Sequence, residues 1–281
     1  MKEISVTRII QTVREMCIEA NCNLNSDVRC ALERGLAREE SPIAQTMLTD
    51  ILKNAEIARD EQMPICQDTG MAVFFLKLGQ EVHITGGLLQ DAINEGVRQG
   101  YRDGYLRKSV VQDPVRRGNT GDNTPAVIHL ELVAGDSLEI TLAPKGFGSE
   151  NMSAIKMCKP SEGLDGIIDF VVETVKSAGG NPCPPLVVGV GIGGTFEKCA
   201  TLAKSALLRD VDSKNPDPYY AELEETLLTK INQLDIGPQG FGGKTTALGV
   251  NVETFPTHIA GMPCAVNINC HVTRHIAKSL C

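Results

Sequence analysis

Pro64-Ile65-Cys66-Gln67-Asp68-Thr69-Gly70-Met71-Ala72-Val73-Phe74-Phe75-Leu76-Lys77-Leu78 is the stretch at which the chain changes its period. Upstream, apolar residues recur at helical spacing; from Met71 onward they run together as in a strand. Between the two lies a turn that sets a thiol, an amide and a carboxylate side by side at the mouth of that strand. Turns between ordered elements are where scaffolds usually present reactive groups. A thiolate suits iron or zinc, and an adjacent carboxylate can move protons. Taken alone, the run is better read as a core cysteine beside a turn-capping aspartate.

Working outward, residues 3–21 place Ile4, Ile9, Ile10, Val13, Met16 and Cys17 at helical spacing. A second helix starts near Ser26-Asp27, and a third at Ser41-Pro42, where proline fits the first turn. The expectation is a helical N-terminal layer over residues 1–62. Beyond the Cys66 run, the pattern predicts a helix over Leu88–Gly100 and a hairpin of residues 126–134 and 138–144 joined through Gly135-Asp136. The irregular segment Lys145–Gly163 is of a kind more often functional than idle. Then come a helix at 164–178, a strand at Leu186–Val190, helices at 195–210 and 219–233, and strands near 245–254 and 263–269. This mixture predicts an α/β (mixed α+β) fold with β-α units in a mixed sheet. Residues 1–281 read as a single domain, with Asp210–Asp217 as its one soft joint.

The composition narrows the function classes. The 281 residues carry a net charge of −8, the opposite of a nucleic-acid footprint. No apolar run reaches the length of a membrane span, and the N-terminus lacks a signal-type apolar region, so the expected location is cytoplasmic. Ten cysteines are many for that compartment, where disulfides are rare, which points several of them toward a metal or cluster. No Cys-x-x-Cys pair occurs, which argues against zinc fingers, zinc ribbons and ferredoxin-type clusters.

Two glycine-rich stretches imitate nucleotide motifs. Gly189-Val190-Gly191-Ile192-Gly193-Gly194 fits G-x-G-x-x-G after a strand and before a helix. The flanking elements do not repeat as β-α-β units, so a docked carboxylate or close helix–sheet packing are the stronger readings. Gly237-Pro238-Gln239-Gly240-Phe241-Gly242-Gly243-Lys244-Thr245-Thr246 resembles a P-loop, but Pro238 stands where a glycine is required. Lys244 remains a candidate to face an anion.

Among the other cysteines, Cys183 is fixed between prolines in Asn181-Pro182-Cys183-Pro184-Pro185, and Cys270 closes a strand ahead of His271. Cys17, Cys30 and Cys199 fall inside helices, Cys158 and Cys264 are ambiguous, and Cys281 is terminal. Three widely spaced loop cysteines could bind a [4Fe–4S] cluster and leave one iron open as a Lewis acid. Such chemistry also needs an acid/base pair and cationic anchors, for which Asp68, His258, Arg107 and Lys244 are suitable types.

The runs Cys66–Gly70, Gly121-Asp122-Asn123-Thr124-Pro125-Ala126 and Lys145-Gly146-Phe147-Gly148-Ser149-Glu150-Asn151 resemble the iron–sulfur hydro-lyase family of class I fumarases and L-tartrate dehydratases. So do Gly189–Lys198, Ile236–Thr245 and Asn267–Arg274, in order and across nearly the whole chain. The likeness is to the α subunit of the two-subunit enzymes. One departure is Phe147, where a further glycine is expected beside the substrate.

The resemblance implies a [4Fe–4S] cluster on Cys66, Cys183 and Cys270, all on loops. It implies substrate contacts at Gln67, Asp68, Arg107, Gly148, Ser149, Asn151 and His258, with Asp68 and His258 in the catalytic set. The implied reaction is the reversible hydration of fumarate to (S)-malate, a small dicarboxylate, with L-tartrate to oxaloacetate as the alternative. The chain ends soon after Cys270, so a β subunit is expected to supply the remaining anchors and the base for the carbon-bound proton, in an α2β2 or higher assembly. A non-catalytic iron–sulfur redox or sensor subunit and a zinc protein are the competing classes.

Overall fold

The computed structural model describes residues 2–281. In chain order, its first half runs β1 (Lys2–Ser5), α1 (Val6–Cys22), α2 (Ser26–Arg38), α3 (Pro42–Glu61), β2 (Met71–Gly79), β3 (Val82–Thr85), α4 (Leu89–Asp103), β4 (Val127–Val133) and β5 (Leu138–Lys145). The second half runs α5 (Phe147–Glu150), β6 (Ala154–Cys158), α6 (Gly163–Ala178), β7 (Leu186–Gly193), α7 (Phe196–Ala206), α8 (Pro218–Asn232), β8 (Ala247–Phe255), β9 (Met262–Asn269) and β10 (Ile276–Leu280). The fold is α/β with mixed sheets. Two compact units share it, one of Met1–Leu24, Ala55–Phe147 and Arg274–Cys281, the other of Asn25–Asn54 and Gly148–Thr273. No helix among the described residues is long and apolar enough to cross a membrane.

In the first unit, the predicted helix from residue 3 begins three residues later. Lys2–Ser5 pair in parallel with β3, and the Ser5 hydroxyl accepts from the Arg8 amide to cap α1. Ile9, Val13 and Met16 from α1 and Ile93 and Val97 from α4 are fully buried against Phe74, Leu76, Ile140 and Leu142. Each such side chain is worth roughly 1.5–3 kcal/mol on leaving water. The sheet order is β10-β5-β2-β4. The predicted hairpin is therefore not formed: β2 lies between β4 and β5, parallel to the first and antiparallel to the second. The turn signal at Gly135-Asp136 is local, whereas β2 offers the long apolar surface that both strands need.

The second unit carries a sheet ordered β6-β9-β7-β8. Every residue of the central strand β7 is buried. Val188, Val190 and Ile192 share the core with Val171 and Val175 of α6 and Leu227 and Ile231 of α8. The alternate positions, Gly189 and Gly191, lie under α7, so the G-x-G-x-x-G run is mostly strand rather than a nucleotide turn. A Cβ at Gly189 would stand 2.1 Å from the Ala203 carbonyl oxygen, and one at Gly191 would stand 2.2 Å from that of Cys199. The P-loop-like stretch is also filled from within. The buried Glu39 carboxylate accepts from the amides of Lys244 at 2.9 Å and Thr245 at 3.3 Å, so the anion in this loop is the chain's own. Lys244 itself pairs with Glu40 at 2.5 Å.

The segment Lys145–Gly163, predicted irregular, contains α5 and β6, the latter paired with β9. Asp210–Asp217 is not a joint between the units. It lies inside the second one, tied by Val211 N to Asp27 and by Asn215 N to Glu224.

Gly191→Ala should destabilise the chain by about 3 kcal/mol, because the new methyl meets helix backbone that has no rotamer to escape into. Gly148→Ala, where a Cβ meets nothing within 4 Å, should be close to neutral. Paired thermal denaturation of the two variants checks this.

Candidate active site

In the first unit, the turn from Cys66 to Gly70 is held from several sides. Asp68 Oδ1 accepts from the Gly70 amide at 3.0 Å, and Oδ2 accepts from the Phe147 amide at 2.9 Å. The Asp68 amide donates to Cys66 Sγ at 3.4 Å, linking the thiol and the carboxylate in one turn. Below it, the Thr69 hydroxyl donates to the Arg107 carbonyl at 3.0 Å, and the buried Tyr101 hydroxyl donates to the Thr69 carbonyl at 2.8 Å. Cys66 and Asp68 are half-buried, while Gln67 and Arg107 are exposed. The first unit thus brings together Cys66, Gln67, Asp68 and Arg107.

Three further residues, quoted in the family-like runs but given no site role there, do the holding. Asn123 is fully buried at φ +64°, accepts from Ser109 N at 2.7 Å and donates to the Gly70 carbonyl at 3.2 Å, stapling the Arg107 loop to the Cys66 turn. Asp122 next to it accepts from the Thr124 amide and hydroxyl and from Arg98 Nε. Burial works to raise its carboxyl, but the Thr124 bonds and the Arg98 guanidinium outweigh this and hold it at about 2. Arg274, only 4% exposed, donates from Nη2 to the Asp68 carbonyl at 2.5 Å, while its Nε and Nη1 have no hydrogen-bond partner among the described residues.

In the second unit, Cys183 and Cys270 meet at one end of the sheet. The β7–β9 ladder closes with Val187 opposite Asn269, so the segment that enters β7 and the one that leaves β9 lie at the same end of the sheet. Cys183 is exposed and takes φ +55°, a region that non-glycine residues enter at a cost and mainly where function requires it. Its carbonyl accepts from the His271 amide at 3.3 Å and lies 2.9 Å from His271 Nδ1. The Gly148–Asn151 segment docks beside this end. Glu150 accepts from Asn267 Nδ2 at 2.9 Å and pairs with Lys204, and Ser153 Oγ accepts from the Ile268 amide at 3.1 Å.

His258 is placed elsewhere. It sits exposed in the β8–β9 turn, at the end where Gly193 pairs with Phe255, and its Nδ1 accepts from the Ala260 amide at 3.2 Å. An eight-residue strand, about 26 Å long, separates it from the Cys183–Cys270 end.

Among the described residues, no group of three His, Cys, Asp or Glu side chains forms a ready metal cage. The donor chemistry nevertheless sorts the cysteines. Burial pushes the thiols of Cys17, Cys22, Cys158 and Cys264 up and that of Cys199 to about 11, which disfavours their thiolate forms. Cys66, Cys183 and Cys270 stand on loops with at least part of their surface accessible. Each is a donor of the soft type that an iron–sulfur group takes.

The fold and these two groups of residues define a class: a mixed α/β protein that offers loop thiols, a doubly held carboxylate and an exposed arginine. The chain belongs to the fumarate hydratase (fumerase) family of hydro-lyases, whose model matches residues 10–279. It is 42% identical over 278 residues to a Methanocaldococcus jannaschii protein provisionally named L(+)-tartrate dehydratase subunit alpha, an alignment covering 97% of this chain and 98% of that one. The L(+)-tartrate dehydratase alpha subunits of Escherichia coli K12 and Shigella sonnei are each 32% identical over 276 residues, covering 97% of this chain and 91% of theirs.

A carboxyl held at about 2 adds stability above its ordinary value of 3.8 and loses it as pH falls toward 2. Asp122→Asn should therefore lower the melting temperature at neutral pH and flatten its fall over that acid window. Melts of both proteins across a pH series check it.

Proposed function

We propose that this chain is the α subunit of a two-subunit hydro-lyase that dehydrates L-tartrate to oxaloacetate, with a [4Fe–4S] cluster on Cys66, Cys183 and Cys270. Its expected setting is cytoplasmic, with a β subunit completing the site. The observation that carries the reading is the Cys66–Asp68 turn, where a carboxylate fixed by two backbone amides stands two residues from a loop thiol. The names of the relatives favour tartrate over fumarate as the substrate.

When bound to Cys66, Cys183 and Cys270, the cluster would supply Lewis-acid chemistry that makes the substrate's hydroxyl a better leaving group. Asp68 delivers a proton to the departing hydroxyl oxygen, so that the C–O bond breaks to give water. A base on the β subunit removes the proton from the neighbouring carbon, and the resulting enol rearranges to oxaloacetate. Gln67, Arg107 and the Gly148–Asn151 segment, with Ser149, orient the two carboxylates, which places the breaking bonds against the acid and the base. His258, the remaining residue expected in the catalytic and substrate-binding set, lies at the opposite end of the second unit's sheet from Cys183 and Cys270.

Hydration of fumarate to (S)-malate is the second reading, favoured by the description of the family model. It uses the same residues on a dicarboxylate with one hydroxyl fewer.

The test is the anaerobically reconstituted complex of both subunits, assayed with L-tartrate, (S)-malate and fumarate. Turnover of L-tartrate well above that of malate is expected; the reverse selects the second reading, and no turnover of any overturns both. Asp68→Asn should lower kcat by about 10²–10⁴-fold while iron and sulfide content stay unchanged. Replacing Cys66, Cys183 or Cys270 with Ser should instead lower the iron content, whereas Cys199→Ser should not.

A further inference from the structure

The net charge of this chain, −8, works against a dicarboxylate, whose two carboxyl groups are both ionised at neutral pH. One exposed element reverses the sign locally. Between Gly104 and Gly121 stand Arg107, Lys108, Arg116 and Arg117, and the one carboxylate among them is Asp113. All four cations are exposed, and none pairs with a carboxylate among the described residues. Most of the other arginines do pair, as Arg14 does with Asp103 at 2.6 Å and Arg98 with Asp122 at 2.9 Å. Unpaired cations in one loop repel one another, so stability does not account for them.

The element is a built hairpin. Val111 bridges Asn119 in antiparallel register, flanked by bonds from Gln112 N to the Gly118 carbonyl at 2.7 Å and from Thr120 N to the Val110 carbonyl at 3.0 Å. At the tip, Asp113 Oδ1 accepts from the amides of Val115 at 2.9 Å and Arg116 at 2.6 Å, so the one carboxylate serves as the turn's cap. The base is fixed beside the Cys66–Asp68 turn by the bond from the Thr69 hydroxyl to the Arg107 carbonyl. Asn119 Nδ2 donates to the Lys108 carbonyl at 3.0 Å, drawing the far arm onto the arm that carries Arg107. Arg117 stands two residues before Asn119, at most about 7 Å of chain away. The hairpin therefore gathers its positive charge within reach of the carboxylate turn.

We propose that Lys108, Arg116 and Arg117 form an electrostatic guide that concentrates dianionic substrate at the site without touching it. The proposal rests on the dicarboxylate reading of the site. Screened Coulomb attraction between a dianion and three cations about 12 Å away is worth roughly tenfold in kcat/KM at about 10 mM salt and roughly twofold at about 0.15 M.

The test is steady-state kinetics of the reconstituted two-subunit complex across that salt range, on whichever of L-tartrate, (S)-malate or fumarate it turns over. Wild-type kcat/KM should fall as salt rises. Replacing Lys108, Arg116 and Arg117 together with Gln should lower kcat/KM ~tenfold at low salt and ~twofold at the upper end, flattening the salt dependence. Its kcat and its hold on the second subunit should not change. Arg116→Lys combined with Arg117→Lys keeps the charges and should keep the wild-type profile. Should the triple variant fail to fold, Lys108→Gln alone should lower kcat/KM at low salt ~twofold. A salt-independent wild type, Gln variants with the wild-type slope, a Lys pair as impaired as the Gln triple, or a loss confined to kcat would each overturn the proposal. So would a triple variant that releases the second subunit, which would assign the hairpin, with Tyr105 and Val115 on it 92% and 86% exposed, to docking. If no dicarboxylate is turned over, the substrate reading falls separately, and equilibrium dialysis of L-tartrate against the complex decides. Binding that weakens with salt in the wild type and not in the triple variant supports the guide, and its absence overturns it.

Discussion

The first unit depends on one close crossing, where residues 68–70 pass over residues 145–147. Gly70 sits there at φ +75°, and a Cβ would lie 2.8 Å from the Lys145 backbone. Only glycine permits both the conformation and the approach. The crossing is what lets the Phe147 amide reach Asp68 and lets the Gly70 carbonyl accept from both Tyr101 and Asn123. Each of these bonds is worth about 1 kcal/mol net, but leaving a buried partner unmet costs about 1–3 kcal/mol. Widening the crossing would therefore release the carboxylate, the thiol beside it and the Arg107 loop together. The unfilled nitrogens of Arg274 raise the stakes, since a buried guanidinium already short of partners tolerates little further loss.

The second unit solves a similar problem by filling its own anion site. The glycine-rich loop before β8 points amides inward as a phosphate-binding loop would, and Glu39 from the α2–α3 connection occupies them. This ties the helical segment 25–54 to the sheet and leaves the loop rigid. Gln239, in the same loop, bonds the Pro184 carbonyl through both its amide and its side chain, at 2.8 Å each. The loop that resembled a nucleotide cradle thus braces the segment that presents Cys183.

How much of this was legible in the sequence follows from the range of each interaction. The helices and the apolar strands were readable because their periodicity is local, and so were the loop positions of Cys66, Cys183 and Cys270. The pairing of β4 and β5 was misread as a hairpin, since a turn signal says nothing about a strand inserted from fifty residues upstream. Gly189 and Gly191 looked like a phosphate turn because a sequence does not show the helix lying on them. Glu39 carried no signal of its own, and Asn123 and Arg274 fell inside family-like runs with no role read for them. Each matters through a partner far along the chain: Glu39 through Lys244, Asn123 through Gly70, and Arg274 through Asp68. His258 looked as suitable as Asp68 by residue type, and only the sheet register separates it from the Cys183–Cys270 end.

The proposed three-thiolate site leaves one iron without a protein ligand, whereas a cluster built for electron transfer takes four. An electron paramagnetic resonance spectrum of the reduced two-subunit complex, recorded with and without L-tartrate, separates the two cases most directly. The prediction is a spectrum that shifts on adding substrate, from perturbation at a single iron site, and that is lost when Cys183 is replaced. A spectrum unchanged at saturating tartrate, or retained in full without Cys183, would contradict it.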